Sequence, residues 1–212
     1  MKTELEFRNT VKTVEELLEV TGKPSELVNN QVISYLDEHC VGFIEQSPFL
    51  TISTADDSGF CDVSPRGDNN GFVHIINEKQ LIIPERPGNK RMDSLRNILS
   101  NPHIGLLFLI PGLGETLRIN GKASVIRDEE LLEKMAVNGK RPILGIGVDV
   151  EECFIHCAKA FRRSELWNPK TWINKEERPK GAKILAAHAK LPNVDEGAVG
   201  RLLEKSYREK LY

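Results

Sequence analysis

The chain has 212 residues, of which 40% are hydrophobic and 28% are charged, and its formal net charge is −2. This composition is typical of a globular protein and excludes a disordered chain, a collagen-like repeat and a membrane bundle. The near-neutral charge argues against a dedicated nucleic-acid-binding protein. The first residues lack the apolar core of a signal peptide, and the longest apolar run, 104–110, is too short for a membrane helix. We therefore expect a cytoplasmic protein with reduced thiols and with neither a membrane nor a nucleic-acid partner.

Helices are expected over roughly the first forty residues. Apolar residues at helical spacing predict a helix over 11–21. A Gly-Lys-Pro-Ser segment ends it, and Ser25 can cap a second helix that continues towards Leu36.

Short strands dominate the middle of the chain. β-forming residues in 49–54 and 60–64 flank a turn at 56–59 and predict a hairpin. The apolar stretch 103–110 predicts a strand that is buried on both faces. Gly121, inside the strand predicted over 116–126, marks either a bulge or a barrel bend. The other predicted strands are 71–76, 80–83, 116–126 and 143–150, and the other predicted helices are 90–100, 128–137, 153–161, 183–190 and 195–210.

This order of elements predicts a mainly β fold with α additions, either a small barrel or a sandwich. Strands do not alternate regularly with helices, so a Rossmann fold is not expected. We assign one domain over 1–212. It has a helical N-terminal arm (1–46), a barrel core (47–150) and a helical C-terminal extension (151–212).

A basic turn precedes the helix predicted over 90–100, and Asn89 is the expected N-cap of that helix. A helix N-terminus presents free N–H groups and a partial positive charge. Lys90 and Arg91 in its first turn are unfavourable for the helix unless an anion binds there. Arg66 can add a bidentate guanidinium to such an anion. A solvated basic turn is the alternative interpretation, and the residues alone do not decide between the two.

Several motifs occur together in one order. They are Ser64-Pro65-Arg66, Asn89-Lys90-Arg91, the junction 101–108 and the strand 115–123 that ends in Gly121-Lys122-Ala123. Together they resemble the pyridoxamine 5′-phosphate oxidase-like family of FMN-binding split barrels over roughly residues 47–127. The resemblance is closer to a subgroup of uncharacterised members, through Pro84–Asn89, Glu115–Arg118, Cys153–Ala160 and Trp167.

The resemblance implies a split β-barrel that forms a homodimer, with FMN bound at the subunit interface. It also implies an FMN-dependent oxidoreductase that transfers hydride or electrons between a small-molecule substrate and the flavin. In such a protein the flavin itself carries the chemistry, so no catalytic residue is assigned. The cofactor-binding residues implied are Asp62, Val63, Ser64, Arg66, Arg86, Asn89, Lys90, Arg91 and Ser94, together with Thr116 and Arg118 from the partner subunit.

The sequence departs from the oxidases at its C-terminal end. Their arginine-rich segment that holds the pyridoxal substrate is not found, so the resemblance does not extend to vitamin B6 oxidation. Because split barrels host several cofactors, a non-catalytic flavin- or haem-binding module for storage, sensing or protection stays open, as does a deazaflavin cofactor. Cys153, His156 and Cys157 supply only three soft ligands. We therefore assign no metal site and expect buried structural thiols there.

Overall fold

The computed structural model describes residues 7–212. The chain divides into two compact units, the first ending at Val32 and the second spanning Ile33–Tyr212. The first unit contains α1 (Val14–Thr21) and α2 (Glu26–Asn30). The predicted cap is confirmed, because the Ser25 side chain accepts a hydrogen bond from the amide of Val28. The second helix ends earlier than predicted.

The second unit is built on one antiparallel sheet of seven strands. These are β1 (Phe49–Ala55), β2 (Cys61–Gly67), β3 (His74–Asn77), β4 (Gln80–Glu85), β5 (His103–Leu109), β6 (Thr116–Ile126) and β7 (Leu144–His156). Their order across the sheet is β2-β1-β5-β6-β7-β4-β3. The predicted hairpin of β1 and β2 is confirmed, and so is the mainly β fold with α additions.

Six helices accompany the sheet in the second unit. They are α3 (Glu38–Gln46), α4 (Asp93–Ser100), α5 (Glu129–Glu133), α6 (Lys159–Ser164), α7 (Gly181–Ala189) and α8 (Glu196–Glu209). Among residues 7–212, no helix combines the length and apolar character needed to cross a bilayer. The assignment of 1–212 to a single domain stays a prediction.

The hydrophobic core is formed by α3, α4 and one face of the sheet. In β5, Ile104, Leu106 and Phe108 are buried, whereas the residues between them are only partly covered. The prediction that this strand is buried on both faces was therefore wrong. Within one chain, α3 and α4 complete the core on a single side of β5, as is common for antiparallel sheets.

The longest strand pairing joins β6 to β7, and it contains the predicted bulge. The register shifts between Asn120 and Gly121. A Cβ atom added at Gly121 would lie 2.1 Å from the carbonyl oxygen of Asp149, so only glycine fits this close approach of two backbones.

The helix predicted over 153–161 was wrong at its start. Residues through His156 continue β7, and Cys153 pairs with Ile119 of β6. Pairing with a long neighbouring strand overrides the helical spacing of the apolar residues. The helix α6 begins only at Lys159.

The bulge gives a first prediction. Replacing Gly121 by Ala should destabilise the protein by about 3 kcal/mol, because the Asp149 backbone must move to admit the Cβ atom. Gly200→Ala is the matched control, since Gly200 lies in α8 with no atom near its added Cβ; it should be neutral or slightly stabilising. Urea unfolding measures both. Equal stability of the two variants would contradict the role assigned to Gly121.

Candidate functional site

Most of the predicted cofactor-binding residues line one cleft. It has a volume of about 480 Å³ and lies between β2, the end of β4 and the loop 86–92 that leads into α4. Three candidates are not part of its lining, namely Lys90, Thr116 and Arg118. Those that line it are Asp62, Val63, Ser64, Arg66, Arg86, Asn89, Arg91 and Ser94.

The basic turn differs from the prediction in its relation to the helix. Helix α4 begins at Asp93, and Met92 occupies the N-cap position in a left-handed conformation (φ 58°) without a side-chain cap. Asn89 is therefore not the N-cap; its Oδ1 accepts a hydrogen bond from the amide of Arg91 (3.0 Å). Lys90 and Arg91 precede the first helical turn, which instead starts with an acidic residue suited to the helix dipole.

Arg66 is held on the wall of the cleft with part of its donor capacity unused. Its Nη1 donates to Ser64 Oγ (2.6 Å) and to the carbonyl of Pro65 (2.9 Å). Its Nη2 lies 3.0 Å from Glu85 Oε2 in an ion pair without hydrogen-bond geometry. The Nε is buried and has no hydrogen-bond partner. A buried donor of this kind costs about 1–3 kcal/mol, so the guanidinium can gain an acceptor from a ligand.

Arg86 is bound into the protein more tightly than the sequence suggests. Its Nε donates to Asp68 Oδ2 (2.7 Å) and its Nη2 donates to the carbonyl of Met135 (2.9 Å). The ring of Tyr212 lies under the guanidinium, 5.5 Å from centroid to Cζ. Most of this side chain's binding capacity is therefore used inside the chain.

Asp68 is the hydrogen-bond acceptor that connects Arg86 and Tyr212. It accepts a hydrogen bond from the hydroxyl of Tyr212 (2.7 Å) as well as from Arg86. Burial raises the pKa of Asp68, but hydrogen bonds from Tyr212, Asn69 and Arg86 outweigh it and bring the pKa below the ordinary value of 3.8. The carboxyl group is therefore ionised at neutral pH. Sequence reasoning missed it because its local Asp-Asn-Asn-Gly context indicates only a turn.

Carboxylates pair with every arginine that lines the cleft. Arg91 Nε donates to Asp93 Oδ2 (2.8 Å), in addition to the pairs of Arg66 and Arg86. The hydroxyl of Ser94, which is buried, donates to Asp62 Oδ2 (3.1 Å). The cleft is therefore an array of positioned charges of both signs rather than a uniformly basic surface.

Thr116 and Arg118 lie apart from the cleft within one chain. On β6 they alternate with Leu117 and Ile119, which are buried in the core, so they belong to the opposite face of the sheet. The guanidinium of Arg118 lies 5.4 Å from the ring centroid of Phe154 on β7. A single chain does not bring these two residues together with the other candidates.

A second cavity of about 390 Å³ adjoins the cleft. The two share Phe72 and Arg86 as lining residues, and the second is also lined by His74 and Lys134. It therefore lies beside the Arg86–Asp68 pair and is a candidate pocket for a second small molecule.

The cysteines of the segment 153–157 differ in their exposure. Cys153 is buried in β7, whereas Cys157 is exposed, so the expectation of buried thiols is confirmed for the first and wrong for the second. Between residues 7 and 212, no cluster of three or more His, Cys, Asp or Glu side chains is arranged to hold a metal ion.

The Asp68 interactions give a second prediction. Asp68→Asn should lower stability at pH 7 by about 1–3 kcal/mol, since it removes the ionised acceptor of Arg86 and Tyr212. Because the folded-state pKa of Asp68 is depressed, the carboxylate stabilises the fold above pH 3.8 and loses this effect as the pH falls through the folded-state value. The difference in Tm between wild type and variant should therefore shrink as the pH falls below 3.8. Thermal unfolding across pH checks this.

Asp57→Asn, at an exposed turn residue, is the control for that experiment. It should leave Tm unchanged at both ends of the pH range. A constant Tm difference for Asp68→Asn at all pH values would contradict the assignment.

Comparison with known proteins identifies the family. A sequence profile described as pyridoxamine 5′-phosphate oxidase matches residues 36–157. No curated protein matches the chain. Many solved structures are similar to it, among them the following three at low identity.

A pyridoxamine 5′-phosphate oxidase, described as putative, from Lactobacillus delbrueckii is 19% identical, covers 57% of this chain and 95% of its own, and has a TM-score of 0.45. An FMN-binding protein from Syntrophomonas wolfei is 12% identical over 55% of this chain and 87% of its own (TM-score 0.41). The haem storage protein HutZ from Vibrio cholerae is 16% identical over 57% of this chain and 93% of its own (TM-score 0.40). Because the profile covers more than half of the sequence, the chain belongs to the pyridoxamine 5′-phosphate oxidase family and has its split-barrel fold.

Proposed function

We propose that the protein is an FMN-binding oxidoreductase whose cofactor lies in the cleft of 480 Å³. The observation that carries this proposal is the guanidinium of Arg66, whose buried Nε lacks an acceptor on the wall of that cleft. Phosphate oxygens are suitable acceptors for guanidinium groups. Family membership supports the same cofactor.

Residues that line the cleft, and Lys90 on the loop beside it, fit the two chemically different parts of FMN. Lys90 and Arg91 lie on the loop before α4 and would bind the phosphate. Lys90 forms no ion pair within residues 7–212, so its charge is free for a ligand. Val63, with 66% of its surface exposed, provides an apolar contact for the flavin ring on the adjacent strand β2.

FMN, when bound, supplies hydride or electron transfer. The protein would contribute the polar groups that bind the cofactor and fix its position. Arg66 and Ser64 are connected by a hydrogen bond, so the donors on β2 are oriented before the cofactor arrives. The second cavity adjoins the cleft at Arg86 and is the proposed place for a small-molecule substrate. We place this activity in the cytoplasm.

A haem-binding module is the alternative function. Among the described residues that line the cleft, none is a His or Cys that would ligate haem iron, which favours flavin in this cleft. The absorption spectrum of the loaded protein distinguishes the two cofactors, because FMN gives two flavin bands and haem gives a Soret band.

The phosphate assignment gives a third prediction. Lys90→Ala combined with Arg91→Ala should raise the Kd for FMN by about 10- to 100-fold, because a charge-assisted contact contributes about 1.5–3 kcal/mol. The exposed pair Lys205→Ala and Arg208→Ala on α8 removes the same charge at a distant site and should leave the Kd unchanged. Fluorescence titration of FMN measures both. Equal affinities in the two folded variants would refute the assignment.

We also propose a homodimer in which Thr116 and Arg118 of one chain complete the cleft of the other. The fourth prediction tests this by complementation. Arg118→Ala and the Lys90/Arg91 double variant should each bind FMN weakly. When the two are co-expressed, about half of the dimers are mixed, and each mixed dimer has one intact site. About a quarter of all sites should then bind FMN with wild-type affinity.

Titration of the purified mixture counts these tight sites, and light scattering verifies the dimer. Absence of tight sites in the mixture, with mixed dimers present, would show that both sets of residues act within one chain. Wild-type affinity of Arg118→Ala alone would remove this residue from the site.

A further inference from the structure

Two buried cysteines from distant parts of the chain lie in contact. The Sγ atoms of Cys40 on α3 and Cys153 on β7 are 3.2 Å apart, and both are free thiols. Neither belongs to the cleft or to the second cavity. Their proximity is therefore a separate feature of the fold, unrelated to the proposed cofactor.

Backbone interactions fix the position of each cysteine. Cys153 exchanges two backbone hydrogen bonds with Ile33, at 2.6 and 3.0 Å. The amide of Cys40 donates to Oδ1 of Asp37, the N-cap of α3, at 2.8 Å. Hydrogen bonds thus fix the segment at Ile33, which pairs with Cys153, and at Cys40 itself. Closing the gap to a disulfide of about 2.05 Å requires a movement of only about 1 Å.

The two thiols differ in a way that assigns them separate roles. The thiol of Cys153 donates its hydrogen bond to Cys40 Sγ, and this bond outweighs burial and the nearby Asp37, so the pKa of Cys40 is below its ordinary value of 9.0. The same bond, together with burial, raises the pKa of Cys153. Cys40 also lies in the first turn of α3, where the helix N-terminus favours a thiolate. Cys40 retains 8% exposure and Cys153 none, so a small oxidant reaches Cys40 first.

We propose that Cys40 and Cys153 are an oxidative modification site, converted to a disulfide by hydrogen peroxide. The Cys40 thiolate attacks the peroxide, the O–O bond breaks, and one molecule of water leaves as Cys40 becomes a sulfenic acid. The thiol of Cys153 then attacks the sulfur of Cys40, the S–O bond of the sulfenic acid breaks, and the proton of Cys153 leaves with the hydroxyl group as a second water. In sum, two thiols lose two electrons and two protons, and one hydrogen peroxide becomes two waters.

The link would tie α3 to the central part of the sheet. The last turn of α3 includes Glu45, which lines the second cavity, so oxidation fixes an element that borders this cavity. The two cysteines are 113 positions apart. A cross-link over so long a segment restricts the unfolded chain strongly and should raise Tm by about 10 °C.

The test uses the Cys61→Ser/Cys157→Ser variant of the full chain, which keeps only the buried pair. The folded variant is treated with hydrogen peroxide, the excess is removed, and the denatured chain is alkylated and mapped by mass spectrometry. We expect a linked Cys40–Cys153 peptide that dithiothreitol cleaves, and a Tm about 10 °C above that of the reduced form. Adding Cys153→Ala should abolish the linked peptide and drive Cys40 to the sulfinic acid.

Three results would overturn the proposal, namely either of two chemical outcomes or a Tm that does not rise on cross-linking. One is alkylation of both thiols after peroxide treatment, and the other is sulfinic or sulfonic acid at Cys40 while Cys153 is still present. These readouts come from the variant that retains both buried cysteines, so they do not depend on whether Cys153→Ala folds. An unchanged or lower Tm on cross-linking would show that the native geometry does not accommodate the bond.

Discussion

The pairing of β6 with β7 is the constraint on which the other features depend. It runs from Thr116 opposite His156 to Ile126 opposite Gly145, and it includes the bulge where only glycine fits. Its register directs alternate residues of β6 into the core and leaves Arg118 on the opposite face. The same register places Cys153 opposite Ile119, on the side of the sheet that α3 covers. Both the thiol contact and the proposed subunit contact follow from this one alignment.

In the cleft, carboxylates fix the positions of the arginine side chains. Glu85 and Asp93 hold arginine side chains in place in the absence of a ligand, and Asp68 does the same for Arg86. Prearranged guanidinium groups lose little conformational freedom on binding, which favours affinity. The same carboxylates also repel an incoming phosphate. For the phosphate that we propose binds there, selectivity would therefore depend on geometry, on the donor that Arg66 leaves free and on the charge of Lys90, rather than on a large positive potential.

Local signals predicted much of this fold, and the failures have identifiable physical causes. The β1–β2 hairpin and the bulge at Gly121 follow from turn residues, alternation and a glycine in a strand. The predicted helix at 153–161 and the predicted cap at Asn89 were wrong, because tertiary pairing and an internal side-chain turn decided them. Most of the predicted residues that line the cleft were identified through the family resemblance. It missed Asp68 because its partners, Arg86 and Tyr212, are remote in sequence.

The C-terminal segment lies outside the part of the chain that matches the family profile, yet it is bound to the barrel unit. The indole of Trp167 donates to the carbonyl of Leu113 (2.8 Å), and the hydroxyl of Tyr212 donates to Asp68. The second contact reaches the carboxylate that holds Arg86, which lines both the cleft and the second cavity. A displacement of Tyr212 would therefore affect Arg86 through two hydrogen bonds, the one from Tyr212 to Asp68 and the one from Arg86 to Asp68. Tyr212 therefore helps to fix the position of Arg86, although it lies outside the part of the chain that the family profile covers.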